Sequence, residues 1–110
     1  MKYLCLVYGE EERMATIRDA ECAGWGETLQ ATGRYLAAEA LEPVRSAVTV
    51  RVRDGQVSVT DGPFAETKEQ LAGFYLIEAE NLDEALEVAQ RIPPARIGSI
   101  EVRPVRELEP

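Results

Sequence analysis

The chain has 110 residues, 45% of them hydrophobic and 29% charged, with 20 Asp and Glu against 12 Lys and Arg and a net charge of −8. This is the size and make-up of one globular domain, and it excludes disorder as the main state. The acidic balance argues against direct nucleic-acid binding, which normally uses a basic patch, and no run of about 18 apolar residues is present to span a membrane.

Lys2 to Tyr8 reads as a strand, with Tyr3, Cys5 and Val7 pointing one way and Leu4, Leu6 and Tyr8 the other. Both sets are apolar, so the strand is expected to be buried on both faces. Glu10-Glu11-Glu12 follows directly, with no small-residue cleavage site, so this stretch reads as mature structure and not as a signal peptide. Residues from about Met14 to Thr32 read as a helix with apolar positions at Ile17, Ala20, Trp25, Leu29 and Ala31. Gly24 and Gly26 weaken its middle by about 1 kcal/mol each relative to Ala, and Gly33 supplies a stop. Tyr35 to Leu41, between that stop and Pro43, allows either a helix or a short extended strand.

The next segment has the sharpest local pattern. Val48, Val50 and Val52 alternate with Thr49, Arg51 and Arg53; Asp54-Gly55 follows; then Val57 and Val59 alternate with Gln56, Ser58 and Thr60. Asp-Gly between alternating apolar residues predicts a two-residue type I′ hairpin. Pairing Arg53 with Gln56 sets Val52 against Val57 and Val50 against Val59, which puts all four valines on one face. Asp61-Gly62-Pro63-Phe64 reverses the chain, and Ala65 to Gln70 is polar and short. Leu71 to Ala79 reads as a strand with apolar residues on both faces through Phe74, Tyr75, Leu76 and Ile77. Asn81 to Glu84 has the spacing of a capping box and opens a helix whose inner positions are Leu82, Ala85, Leu86, Ala89 and Ile92. Pro93-Pro94 ends it, and Ile97 to Val105 forms a last strand with Ile100 and Val102 inward. Residues 1–105 therefore form one domain, and Arg106 to Pro110 is a tail.

With the hairpin set aside, the order is β-α-β-β-α-β, the ferredoxin-like α+β arrangement, in which two helices cover one face of an antiparallel sheet. The first and third core strands take the centre, and both are apolar front and back. Two helices hide one face only, and the other exceeds what a monomer normally exposes. Packing of that face on a second copy, as a homodimer, is the expectation.

Asp61-Gly62-Pro63-Phe64-Ala65-Glu66-Thr67-Lys68-Glu69-Gln70-Leu71-Ala72-Gly73-Phe74-Tyr75-Leu76-Ile77 resembles the signature of the DGPF-domain proteins, a branch of the YCII-related superfamily. Val50 to Gly55, Leu82 to Leu86 and Ile100 to Val105 fit the same family; Gly9 to Thr32 matches loosely. The resemblance implies a dimeric α/β barrel of ferredoxin-like protomers, with the hairpin as the branch's insertion. It also implies an accessory or regulatory role beside a sigma-factor system in the bacterial cytoplasm. The wider superfamily is suspected of enzymatic activity through a His–Asp pair, and one relative acts in chloroaromatic breakdown.

This chain has no histidine, so that pair does not carry over, and neither a Ser-His-Asp nor a Cys-His system is available. Cys5 and Cys22 read as reduced thiols, and no metal or other cofactor is expected. Asp61 is the acidic residue with a motif-level claim to catalysis, set against its ordinary role as a turn former. Glu39 beside the second strand, Arg51 on the hairpin, Glu66 and Lys68 on the following loop, and Tyr8 are the candidate ligand-binding residues. Trp25 and Tyr75 are further candidates to line an apolar pocket. Two functions follow from this pattern. One is a small-ligand-binding accessory dimer; the alternative is a cofactor-independent lyase or isomerase acting on a small substrate, aromatic or not, with Asp61 or Glu39 as base.

Overall fold

The computed structural model describes residues 1–110 as six strands and three helices. In chain order these are β1 (Lys2–Gly9), α1 (Glu11–Met14), α2 (Asp19–Ala31), β2 (Tyr35–Ala40), β3 (Val48–Arg53), β4 (Gln56–Asp61), β5 (Gln70–Glu78), α3 (Leu82–Ala89) and β6 (Ser99–Pro104). Short 3₁₀ turns lie at Val44–Ser46 and Pro93–Arg96. No helix is long and apolar enough to cross a membrane.

β2, β5, β1 and β6 form one sheet in that order, and every neighbouring pair is antiparallel. β3 and β4 form a separate two-stranded sheet inserted between β2 and β5. The result is an α+β fold compatible with the ferredoxin-like arrangement, with β1 and β5 in the centre. The hairpin register is the expected one: Arg53 opposes Gln56, Val52 opposes Val57 and Val50 opposes Val59. Asp54 and Gly55 both have positive φ, at 51° and 75°, as a type I′ turn requires.

The two faces of the main sheet differ. Tyr3, Cys5 and Val7 of β1 and Ile77 of β5 are buried, packed with Leu29 of α2, with Ala85, Val88 and Ala89 of α3, and with Ile92. On the opposite face Leu4 opposes Leu76, Leu6 opposes Phe74 and Tyr8 opposes Leu71. Of these six only Leu71 is classed as exposed; the other five are half-buried. Both helices lie on one side, as two helices on one sheet must, and the second apolar face, for which a second copy is the expected cover, is open on the single chain. Its border on β6 is polar, where Ser99, Glu101 and Arg103 stand beside Tyr8, Leu6 and Leu4.

The single helix expected from Met14 to Thr32 is corrected to two. The chain turns at Ala15–Arg18, where the Thr16 amide and hydroxyl both donate to the Arg13 carbonyl and the Ile17 amide donates to that of Met14. Ile17, buried, anchors this turn from outside the helix. α3 likewise ends at Ala89, three residues before the Ile92 on which the sequence pattern ended. Ile92 precedes Pro93, a position that disfavours helical backbone, and it adopts φ −62° and ψ 123°. Tyr35 to Ala40, left open between helix and strand, is a strand at the sheet edge.

Candidate functional site

A cavity of about 460 Å³ lies between α2 and the β2 edge of the sheet. Its origin is small residues facing small residues. On α2, Asp19, Cys22, Ala23, Gly26, Glu27 and Gln30 recur at three- and four-residue spacing and so share one face. The middle of that face has no large side chain. Opposite stand Ala38 and Ala40 of β2 and Ala72 and Gly73 of β5, again small. A Cβ on Gly73 would come within 2.7 Å of the Glu39 carbonyl oxygen, so β2 and β5 approach here as closely as glycine permits. The helix therefore stands over the sheet without filling the space beneath it.

Val7, Met14, Ile17, Pro94 and the rings of Tyr35 and Tyr75 complete the wall. Trp25 packs against Tyr75 edge to face, with ring centroids 5.1 Å apart and planes at 87°, which fixes the Tyr75 ring. Burial pushes the Tyr75 phenol up to about 12, and the nearby Cys22 and Tyr35 push the same way. Burial, with Glu21 and Asp19 adding to it, also raises the Cys22 thiol. Both groups are therefore protonated at neutral pH, and the cavity presents neutral O–H and S–H donors. Among the four tyrosines, Tyr3 alone donates within the chain, to Met1 Sδ at 3.8 Å. No lysine or arginine lines this cavity. Asp19 and Glu27 stand at its rim, both exposed. A neighbouring depression shares Met14, Asp19 and Ala72 with it and holds Arg45 together with Glu11 and Glu42.

Arg96 closes one end of the assembly. Its guanidinium grips Glu21 of α2 at 2.6 and 3.0 Å. That pairing lowers the Glu21 carboxyl and raises the Arg96 guanidinium, each through hydrogen bonding to the other. α2 is thus tied at its first turn to the 3₁₀ turn that supplies Pro94.

The candidate residues read from sequence do not meet in this cavity. Glu39 borders it, but alternation along β2 places its side chain with that of Phe74, on the open face of the sheet. Asp61 ends β4 opposite Val48 and is exposed. Arg51 lies on the hairpin, where it donates to the Phe64 carbonyl at 3.4 Å. Glu66 is exposed, and Lys68 pairs with Glu10 at 3.6 Å. Tyr8 lies on the open sheet face beside Leu71 and Ser99. Tyr75 does line the cavity, and Trp25 supports it. The sequence reading missed the small-residue face of α2. The signal was the spacing of Cys22, Ala23 and Gly26, which places three small residues on one helical face beside the apolar positions Trp25 and Leu29.

The chain matches the family model of the YCII-related domain over residues 1–109. It is 51% identical over 72 residues to an uncharacterised protein of Rhizobium meliloti (strain 1021). That stretch takes in 64% of this chain and 58% of that protein, so less than two thirds of the relative's length is matched.

Proposed function

The chain belongs to the YCII-related family, and from that premise we propose that it is a non-catalytic homodimer whose α2–β2 cavity binds a small, largely apolar molecule that is neutral or cationic. The observation that carries this reading is the cavity wall: small and aromatic side chains, neutral phenol and thiol donors, two carboxylates at the rim and no cation. An anionic ligand entering it would lose hydration and gain no charged partner. At about 460 Å³ the cavity lies within the usual range for small-molecule sites.

A lyase or isomerase with Asp61 or Glu39 as its base would need that carboxylate held over the substrate. Asp19 and Glu27 are exposed at the rim, and Asp61 is on the hairpin, so binding without turnover is the better reading. The dimer is supported by the open sheet face, whose apolar centre of Leu4, Leu6, Tyr8, Phe74 and Leu76 has a polar border of Ser99, Glu101 and Arg103. An apolar centre with a polar rim is the usual anatomy of a protein interface. The resemblance to the DGPF branch supports an accessory role in the cytoplasm, with a sigma-factor-linked partner reading the liganded state.

The test uses three probes of one shape: cyclohexylmethylamine, cyclohexylmethanol and cyclohexanecarboxylate, titrated against 15N-labelled protein. Saturable amide shifts at Gly26, Tyr35 and Gly73 are expected with the amine and the alcohol and not with the carboxylate. Tightest binding of the carboxylate, or no saturable shift at these residues with any probe, would contradict the proposal.

A further inference from the structure

The β3–β4 ribbon presents its amphipathic faces the wrong way round for a monomer. Its polar face is engaged by its own chain: Thr49 donates to the Gly62 carbonyl at 2.8 Å and Arg51 to that of Phe64. Its apolar face is bare. Val48, Val50, Val52, Val57 and Val59 all lie on that face and are 56–68% exposed, and Phe64 just beyond the ribbon is 81% exposed. A two-stranded hairpin is marginally stable in water, so five valines in this position call for a cover.

The body of the same molecule does not supply it. The chain measures 46 × 42 × 19 Å, a plate one sheet and one helix layer thick. Its radius of gyration is 15.7 Å, against about 13 Å for a compact chain of this length. The ribbon therefore extends sideways and does not fold back over either face.

Area and charge point to a second copy of this chain as the cover. Four strands about 4.8 Å apart, each about six residues long, give the open sheet face a footprint of roughly 400 Å². A stable complex buries about 800 Å² on each partner, so that face alone supplies about half. The ribbon adds a footprint of roughly 200 Å² on the same geometry, and side chains standing up from both surfaces bring the total near the requirement. Residues 44–64 hold Arg45, Arg51 and Arg53 against Asp54 and Asp61, a net +1, so the rest of the chain carries −9. The ribbon can thus approach another acidic copy without net repulsion.

We propose that the valine face of the β3–β4 ribbon is a clasp that lies on the body of a second copy, each ribbon of a two-fold pair covering part of the other protomer. This rests on the homodimer of the preceding section, and the experiment separates the two. Sedimentation equilibrium compares the wild type with Val50→Lys/Val59→Lys and with Ser58→Lys on the polar face. Hydrogen exchange of residues 48–61 is followed in the wild type at 1 and 100 µM. The clasp predicts at least a 100-fold weaker dimer for the double variant and little change for Ser58→Lys. It also predicts ribbon amides that become protected as concentration rises. A double variant that dimerises as tightly as the wild type, or ribbon exchange independent of concentration in a dimerising wild type, overturns the clasp and leaves the sheet-face dimer standing. A wild type that stays monomeric at 100 µM overturns both. Should the double variant fail to fold, exchange of the wild-type ribbon decides the matter alone.

Discussion

Cys5 and Tyr75 are the two groups whose chemistry the fold alters most. Cys5 is fully buried in the centre of the sheet, and its thiol is pushed up to about 11 by loss of hydration. Tyr75 is pushed up to about 12 by burial, with Cys22 and Tyr35 adding to it. In both cases the folded state favours the protonated form more strongly than the unfolded chain does, where the ordinary values are 9.0 and 10.0. The unfolded chain therefore releases these protons first as pH rises. The stabilisation is fully present below pH 9 and is lost between about pH 9 and 12. The urea midpoint is expected to hold level up to pH 9 and then fall, and Tyr75→Phe is expected to fall less steeply above pH 10. In a 295 nm absorbance titration the difference between the wild type and Tyr75→Phe is expected to show the Tyr75 phenolate forming near pH 12. Full appearance of that phenolate signal by pH 11 would contradict the burial of its ring. The position of Tyr75 on an inner strand was legible from its apolar neighbours. Its place over a cavity was not, because a pattern of apolar residues does not distinguish a filled interior from an incompletely filled one.

Among the elements, α3 is the one whose start the sequence marked most directly. Asn81 Oδ1 accepts from the Glu84 amide at 2.9 Å, as an N-cap should. The reciprocal half of the box is absent: Glu84 pairs instead with Arg34 at 2.8 Å and accepts from the Glu80 amide at 3.4 Å. That exchange ties α3 to the chain just before β2. Asn81→Ala is expected to lower stability by about 1 kcal/mol, read as a shift in the urea midpoint with an unchanged slope; no shift would mean that the cap is redundant. The β3–β4 hairpin was legible down to its register, since turn chemistry and alternation are local and agree. α2 was not, because Met14 and Ile17 continue an apolar pattern that looks helical. Tertiary burial of Ile17 in a turn overrides that local preference.

At the scale of the whole molecule, the fold is a thin plate with one face covered and one open, and a ribbon that reaches beyond its edge. Strand order followed from the sequence because the apolar stretches of β1 and β5 differ from the half-polar β6 and from the small-residue β2. The proposed second copy would cover Leu4, Leu6, Tyr8, Phe74 and Leu76, a contiguous apolar set of the kind monomers seldom expose. The polar border on β6 and the ribbon take their proposed roles from that pairing. Sedimentation equilibrium of the wild-type chain at micromolar concentration tests it most directly. A particle of twice the 12.2 kDa chain mass is the expected result, and a single 12.2 kDa species across that range would contradict it.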